Sequence, residues 1–267
     1  MTALTPLAIR LAEIRSEGRA ALIGYLPAGF PTVEGSIAAM KAMIAGGVDA
    51  IEVGFPYSDP VMDGPTIQLA ADRALAQGTS AVDVLQIVKA ISQTGTPTVV
   101  MTYWNPVARY GLSNFARDLA NAGGSGVITP DLTIDEARDW LAAADQNAID
   151  PIFVVAPSTG DQRLAKVVAA CRGFVYAAST MGVTGARASV ANTAETLVRR
   201  VRTATDLPVC VGLGVSTAEQ ANEVAQYADG VIVGSAFVRL LLDSPDLAAG
   251  VAGVEALAHS LAQGVRR

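Results

Sequence analysis

Histidine is almost missing from this chain: its 267 residues include one, His259, in a helical pattern near the end. A Ser-His-Asp triad, a histidine-ligated zinc and a histidine general base are therefore poor readings, and no metal site is expected. Proton transfer falls to carboxylates, lysine, tyrosine or water. Cysteine is scarce as well. Cys171 and Cys210 stand apart with no metal-ligand spacing and read as small apolar residues in a reducing cytosol. Only 16% of the residues are charged against 51% hydrophobic, the net charge is -6, and lysine and arginine form no cluster. Nucleic acids and anionic membranes are poor partners for such a surface. The longest apolar runs are strand-sized and end at glycine, proline or a charge, well short of the ~18 residues of a membrane span. The opening M-T-A-L-T-P-L-A-I-R-L-A-E-I-R carries acid and base on a helical pattern and lacks the order of a signal peptide. A cytoplasmic location is expected.

What the chain does have is alternation. Short apolar runs occur near Ala20–Tyr25, Ala50–Val53, Thr98–Thr102, Gly126–Ile128, Ile152–Val155, Phe174–Ala177, Val209–Val211 and Gly230–Val233. Alanine- and leucine-rich helical patterns separate them, including Val33–Ala45, Ile67–Ala76, Ala81–Ser92, Ile134–Ala144 and Val190–Thr203. Strand-sized runs alternating with helices imply βαβ units and a parallel sheet. Eight such units without a linker predict an α/β fold, a (β/α)8 or TIM barrel over residues 1–267, a single domain with extra helices. A doubly wound open sheet is the alternative, disfavoured by the even spacing. In such a barrel the chemistry sits on the loops after the strands.

The loop after the second strand is the richest. In V-D-A-I-E-V-G-F-P-Y-S-D-P-V-M-D-G-P-T-I-Q, Glu52 lies between Ile51 and Val53, and Asp59 and Asp63 follow on a loop punctuated by proline and glycine. A carboxylate in an apolar strand is kept by a partner or by a task. The bland reading of Glu52 is a satisfied structural acid; that of Asp59 and Asp63 is ordinary turn chemistry. Two Gly-rich turns, G-L-G-V-S at Gly212–Ser216 and V-G-S-A at Val233–Ala236, follow the last two strands. There a helix N-terminus and bare backbone amides suit a phosphate, with Gly185 of the sixth loop as a possible third element. Lys41, Lys89 and Lys166 fall on helical patterns, which disfavours a Schiff base.

These motifs together resemble the tryptophan synthase alpha chain family. The run from Glu52 to Gln68 resembles its signature, Y-A-A-S-T-M-G-V-T-G at Tyr176–Gly185 its sixth-loop motif, and M-T-Y-W-N-P at Met101–Pro106 its third-loop motif. The similarity covers essentially the whole chain in order. It implies retro-aldol cleavage of indole-3-glycerol phosphate to indole and glyceraldehyde 3-phosphate. By the same resemblance Glu52 transfers protons and Asp63 holds the indole N–H. Tyr25, Ile67, Met101, Tyr103, Tyr176, Thr184 and Leu213 are implied around the substrate, with Tyr176 hydrogen-bonding near Glu52 or the substrate and Thr184 on a mobile lid. Gly185, Gly214, Gly234 and Ser235 are implied at the phosphate.

The resemblance further implies a pyridoxal-phosphate beta chain as partner in an α2β2 heterotetramer, with no cofactor in this chain. The implied contact surface includes Pro56, Asp59, Asn105 and Asp131. Two positions depart from the family pattern. Many relatives read T-A-G-D-P where this chain reads P-A-G-F-P at Pro27–Pro31, and many carry arginine where Thr180 stands. Polar support beneath Glu52 is therefore expected from elsewhere. The rival readings are another phosphate-binding barrel enzyme, which leaves the second-loop carboxylate unexplained, and a non-catalytic barrel subunit.

Overall fold

Strand-forming residues in this chain are short runs of Val, Ile and Ala, and each side of them has a different neighbour. In the second strand Ile51 and Val53 point outward to the helices, while Ala50, Glu52 and Gly54 point inward. The computed structural model describes residues 4–178, 187–212 and 214–266, without the side chains of 187–192. The strands are β1 (Ala21–Pro27), β2 (Ala50–Gly54), β3 (Thr98–Met101), β4 (Gly126–Thr129), β5 (Asp150–Val155), β6 (Val175–Ala178), β7 (Val209–Gly212) and β8 (Gly230–Val233). They pair in parallel in sequence order, and β1 closes on β8. This is the TIM barrel anticipated from the alternation.

Twelve helices surround the strands among the described residues: α1 (Pro6–Ser16), α2 (Val33–Ala45), α3 (Pro65–Ala76), α4 (Ala81–Ser92), α5 (Trp104–Tyr110), α6 (Leu112–Asn121), α7 (Arg138–Gln146), α8 (Asp161–Ala170), α9 (Arg187–Arg202), α10 (Ala218–Ala225), α11 (Ser235–Asp243) and α12 (Leu247–Gly264). Two helices differ from expectation. The helical pattern at Ile134–Ala144 begins as a separate turn, with Glu136 and Ala137 donating to Thr133 and Ile134, and α7 starts only at Arg138. α5 begins within M-T-Y-W-N-P, whose proline masks the start of a helix. It starts because Asp131 accepts the Trp104 amide at 2.9 and 3.1 Å, capping a helix end from another loop.

Two cores result. One lies between barrel and helices; the other fills the barrel, where Ile23, Val99, Ile128, Ile152 and Phe174 meet. α1 closes the N-terminal end of that inner core. Its Leu7, Leu11 and Ile14, spaced four and three apart on one face, are at most 4% exposed. Burial on this scale stabilises by roughly 2 kcal/mol per side chain. Thr5 caps α1 by accepting from the Ala8 amide and donates its own hydroxyl to Asp150 at 2.5 Å. Asp49 is held at the same end by Arg19, Arg10 and the Leu22 amide. Asp49 and Asp150 at the N-terminal face are thus held in structural pairings, and the carboxylates of the second loop lie at the opposite mouth.

Candidate active site

Glu52 faces into the barrel one layer above Ala50, in register with Tyr25 on β1 and Val99 on β3. It is 1% exposed, and neither carboxylate oxygen has a hydrogen-bond partner among the described residues. The bland reading of a structural acid satisfied by its surroundings therefore fails. Tyr176, implied to bond near Glu52 or the substrate, makes no hydrogen bond to the Glu52 carboxylate. Nor does polar support come from the first loop, where Phe30 is buried in the outer core. An unpartnered buried carboxylate keeps its proton. Burial, and then the charge of Asp63, push the Glu52 carboxyl up to about 8.

Asp63 lies at the end of the β2–α3 loop, immediately before the Gly64–Pro65 start of α3, and is half-buried. Burial raises its carboxyl too, while a hydrogen bond from the Tyr103 hydroxyl opposes the rise. Tyr103 also accepts the Met62 amide at 3.0 Å and packs against the ring of Tyr57 at 5.1 Å. One side chain after β3 therefore fixes the loop that carries Asp63. The result is two carboxyl groups in different settings, one dry and inside the barrel, the other on a tethered loop at its mouth.

Tyr25 and Tyr176 complete the wall. Each keeps a partly exposed edge, and burial raises both hydroxyls well above the usual tyrosine range, with the charges of Glu52 and Asp63 adding to it. Their placement depends on glycines. A β-carbon on Gly54 would sit 2.4 Å from the Tyr25 hydroxyl, one on Gly234 would sit 2.9 Å from its ring, and one on Gly212 would sit 2.4 Å from the Tyr176 hydroxyl. Tyr25 thus reaches from the turn after β8 to the end of β2. Gly234 acquires a packing reason alongside its expected phosphate role. The sequence pointed to Gly212 only as the first residue of a phosphate turn and did not single out Gly54; a glycine at the mouth end of a strand was the available signal.

The remaining candidates fall as follows. Met101 ends β3, and Ile67 lies in the first turn of α3, 9% exposed. Gly214 has φ of 72°, and Ser235 opens α11 with Gly234 as its N-cap and no side-chain capping bond. The first amides of α11 are therefore free of a side-chain cap at the same mouth. Thr184, Gly185, Leu213 and Thr180 lie outside the described residues. Of the implied contact residues, Asp59, Asn105 and Asp131 are exposed, Asp59 accepting from the Ser58 hydroxyl and Asn105 donating to Tyr57. Pro56, also implied at that surface, is buried within the chain.

Lys41, Lys89 and Lys166 are exposed on α2, α4 and α8, outside the barrel, where no imine with a substrate in the mouth can form. Among the described residues no three His, Cys, Asp or Glu side chains group as a metal site, and no helix is long and apolar enough to cross a membrane. What the mouth can do is move a proton from a neutral carboxyl group and hold a second, polar group at a fixed distance from it.

Known proteins show the same arrangement of sequence and fold. The family model described as tryptophan synthase alpha chain matches residues 11–266. The tryptophan synthase alpha chain of Streptomyces coelicolor is 61% identical over 96% of this chain and 95% of its own length; that of Thermobifida fusca is 59% identical over 98% of each. A solved structure of Mycobacterium tuberculosis tryptophan synthase superposes with a TM-score of 0.92 at 55% identity, covering 99% of this chain and all of that one.

Proposed function

This chain belongs to the tryptophan synthase alpha chain family, and we propose that Glu52 and Asp63 divide its reaction between them. The reaction is the lyase step of tryptophan biosynthesis, retro-aldol cleavage of indole-3-glycerol phosphate to indole and D-glyceraldehyde 3-phosphate. Glu52 starts protonated and gives its proton to the indole C3. The bond from C3 to the side-chain carbon then breaks, and its electron pair returns to the indole ring. The hydroxyl on that carbon gives its proton to the Glu52 carboxylate as the aldehyde C=O forms. Glu52 ends as it began, so one buried group serves as acid and base in turn. Asp63 accepts the indole N–H and stabilises the positive charge that develops on the ring.

The observation that carries this reading is the Glu52 carboxyl, buried with no hydrogen-bond partner among the described residues, beside a second carboxyl on a tethered loop. Tyr25, Tyr103, Tyr176, Met101 and Ile67 form the walls of the indole pocket. The turns at Gly214 and Gly234–Ser235 hold the phosphate through backbone amides and the start of α11, with no lysine or arginine in either turn. The barrel acts as one domain in the cytoplasm and brings no cofactor of its own. The family implies a beta chain as partner, which supplies pyridoxal phosphate in an α2β2 assembly and takes up the indole at the loop face bearing Asp59, Asn105 and Asp131.

The test is indole release from indole-3-glycerol phosphate. Glu52→Gln keeps shape but cannot cycle a proton; it should abolish turnover while leaving the circular-dichroism spectrum and the binding of a phosphate-bearing substrate analogue unchanged. Retained turnover in Glu52→Gln would falsify the assignment.

A further inference from the structure

The face opposite the catalytic mouth is not featureless. A cleft of about 650 Å³ runs between α1 and the N-terminal ends of β5, β6 and β7. Its walls are largely apolar, with Leu4, Ala8 and Ala12 on one side and Ala148, Leu207 and Pro208 on the other. A second hollow of about 330 Å³, lined by Arg19, Arg202 and Asp229, adjoins it and shares Arg15 and Pro208. The first is within the size range of small-molecule sites, which combine apolar walls with a few convergent polar groups.

The charges at the junction are uneven. Arg19 is engaged by Asp49 and Glu17, Arg202 by Asp229, and Arg172 by Asp145 and the Ile149 carbonyl. The buried Asp150 carboxylate is taken by Thr5. Arg15, exposed at the end of α1, donates to the Asp206 backbone carbonyl at 3.2 Å and has no carboxylate partner among the described residues. An uncommitted guanidinium therefore stands where an apolar cleft opens into a cationic hollow. That pairing suits a molecule with a greasy body and an anionic end, since a guanidinium binds carboxylates and sulfonates through paired N–H groups.

We propose that this N-terminal face carries a second ligand site, for a small amphipathic anion with an aromatic or branched-acyl body and a terminal carboxylate or sulfonate. The body lies against α1 and the Leu207–Pro208 turn, and the head meets Arg15. Because α1 also plugs the inner core beneath β2, occupancy braces the end of the barrel opposite Glu52.

Anilinonaphthalene sulfonate is a probe of this class. It should be titrated into the full chain with indolepropanol phosphate, which lacks the hydroxyl needed for cleavage, saturating the mouth. One saturable site is expected. Arg15→Ala should raise its Kd by about fivefold or more, Arg15→Lys should recover part of the loss, and Ala12→Trp should remove binding by filling the cleft. Basal indole release should stay unchanged in these variants, which shows that they fold. Dye displaced by the mouth ligand, or a Kd within about twofold of the parent in Arg15→Ala, overturns the proposal. So does concentration-dependent self-association that Ala12→Trp abolishes in the absence of dye binding, which assigns the cleft to a second copy of the chain.

Discussion

Side chains with nothing to bond are the ones that matter most in the mouth of this barrel. Glu52 has no partner among the described residues, and Asp63 has one that is itself tied to the loop. Asp63→Asn places an amide that can still accept but no longer bears charge. It should lower kcat for indole release by roughly a hundredfold, as expected when one stabiliser of transition-state charge is removed; an unchanged kcat with raised KM would assign Asp63 to binding alone. A residue far from the chemistry gives a stability test. Ala148, with φ of 52°, is the αL residue after α7, where the Ile149 amide returns to the Ala144 carbonyl. Glycine is the usual occupant of that position. Ala148→Gly should raise the urea-unfolding free energy by about 0.5 kcal/mol, the relief of αL strain less the added chain entropy.

Elements in this fold place residues that their own sequence does not explain. β1 delivers Tyr25 and β6 delivers Tyr176, but β2, β7 and the turn after β8 decide whether those rings fit, through Gly54, Gly212 and Gly234. Gly212→Ala forces the Tyr176 hydroxyl, 2.4 Å from the added β-carbon, aside by about an ångström to reach ordinary contact distance. It should therefore reduce kcat/KM by about tenfold or more while costing the fold little, with steady-state assays and thermal unfolding run side by side. α1 offers the contrasting case, a purely structural element. Thr5→Ala removes its N-cap and strips a donor from buried Asp150 together, and should destabilise by about 2 kcal/mol in chemical denaturation, with kcat unaffected.

At the scale of the whole molecule, the dry carboxyl leaves a mark on stability. In the unfolded chain Glu52 loses its proton near 4.5, but the fold holds it up to about 8. Between those values the folded state binds the extra proton, so this contribution is fully present below 4.5, falls as pH rises and is gone above about 8. Glutamine cannot ionise. The Tm advantage of Glu52→Gln over the parent should therefore be larger at about pH 9 than at about pH 5, and equal shifts at both would contradict the burial argument. The same proton sets activity. Since the reaction begins with Glu52 protonated, kcat/KM should fall as pH rises through about 8.

The alternation of apolar runs and helices by itself determined the eight-stranded barrel, because a strand buried on both faces must be apolar and a parallel return needs a helix. The motif from Glu52 to Gln68 determined the family, and the inward side of Glu52 followed from the two-residue period of its strand. Tertiary structure decided what no local pattern carries. It left Glu52 without a partner among the described residues, spent Tyr103 on holding the Asp63 loop, buried Pro56, used Asp131 to cap α5 and gave three glycines the task of making room for two tyrosines. Each of these joins residues from different βα units. Burial and hydrogen bonding depend on what the other strands bring to the same layer, and sequence periodicity fixes the side a residue faces but not the neighbour it meets there.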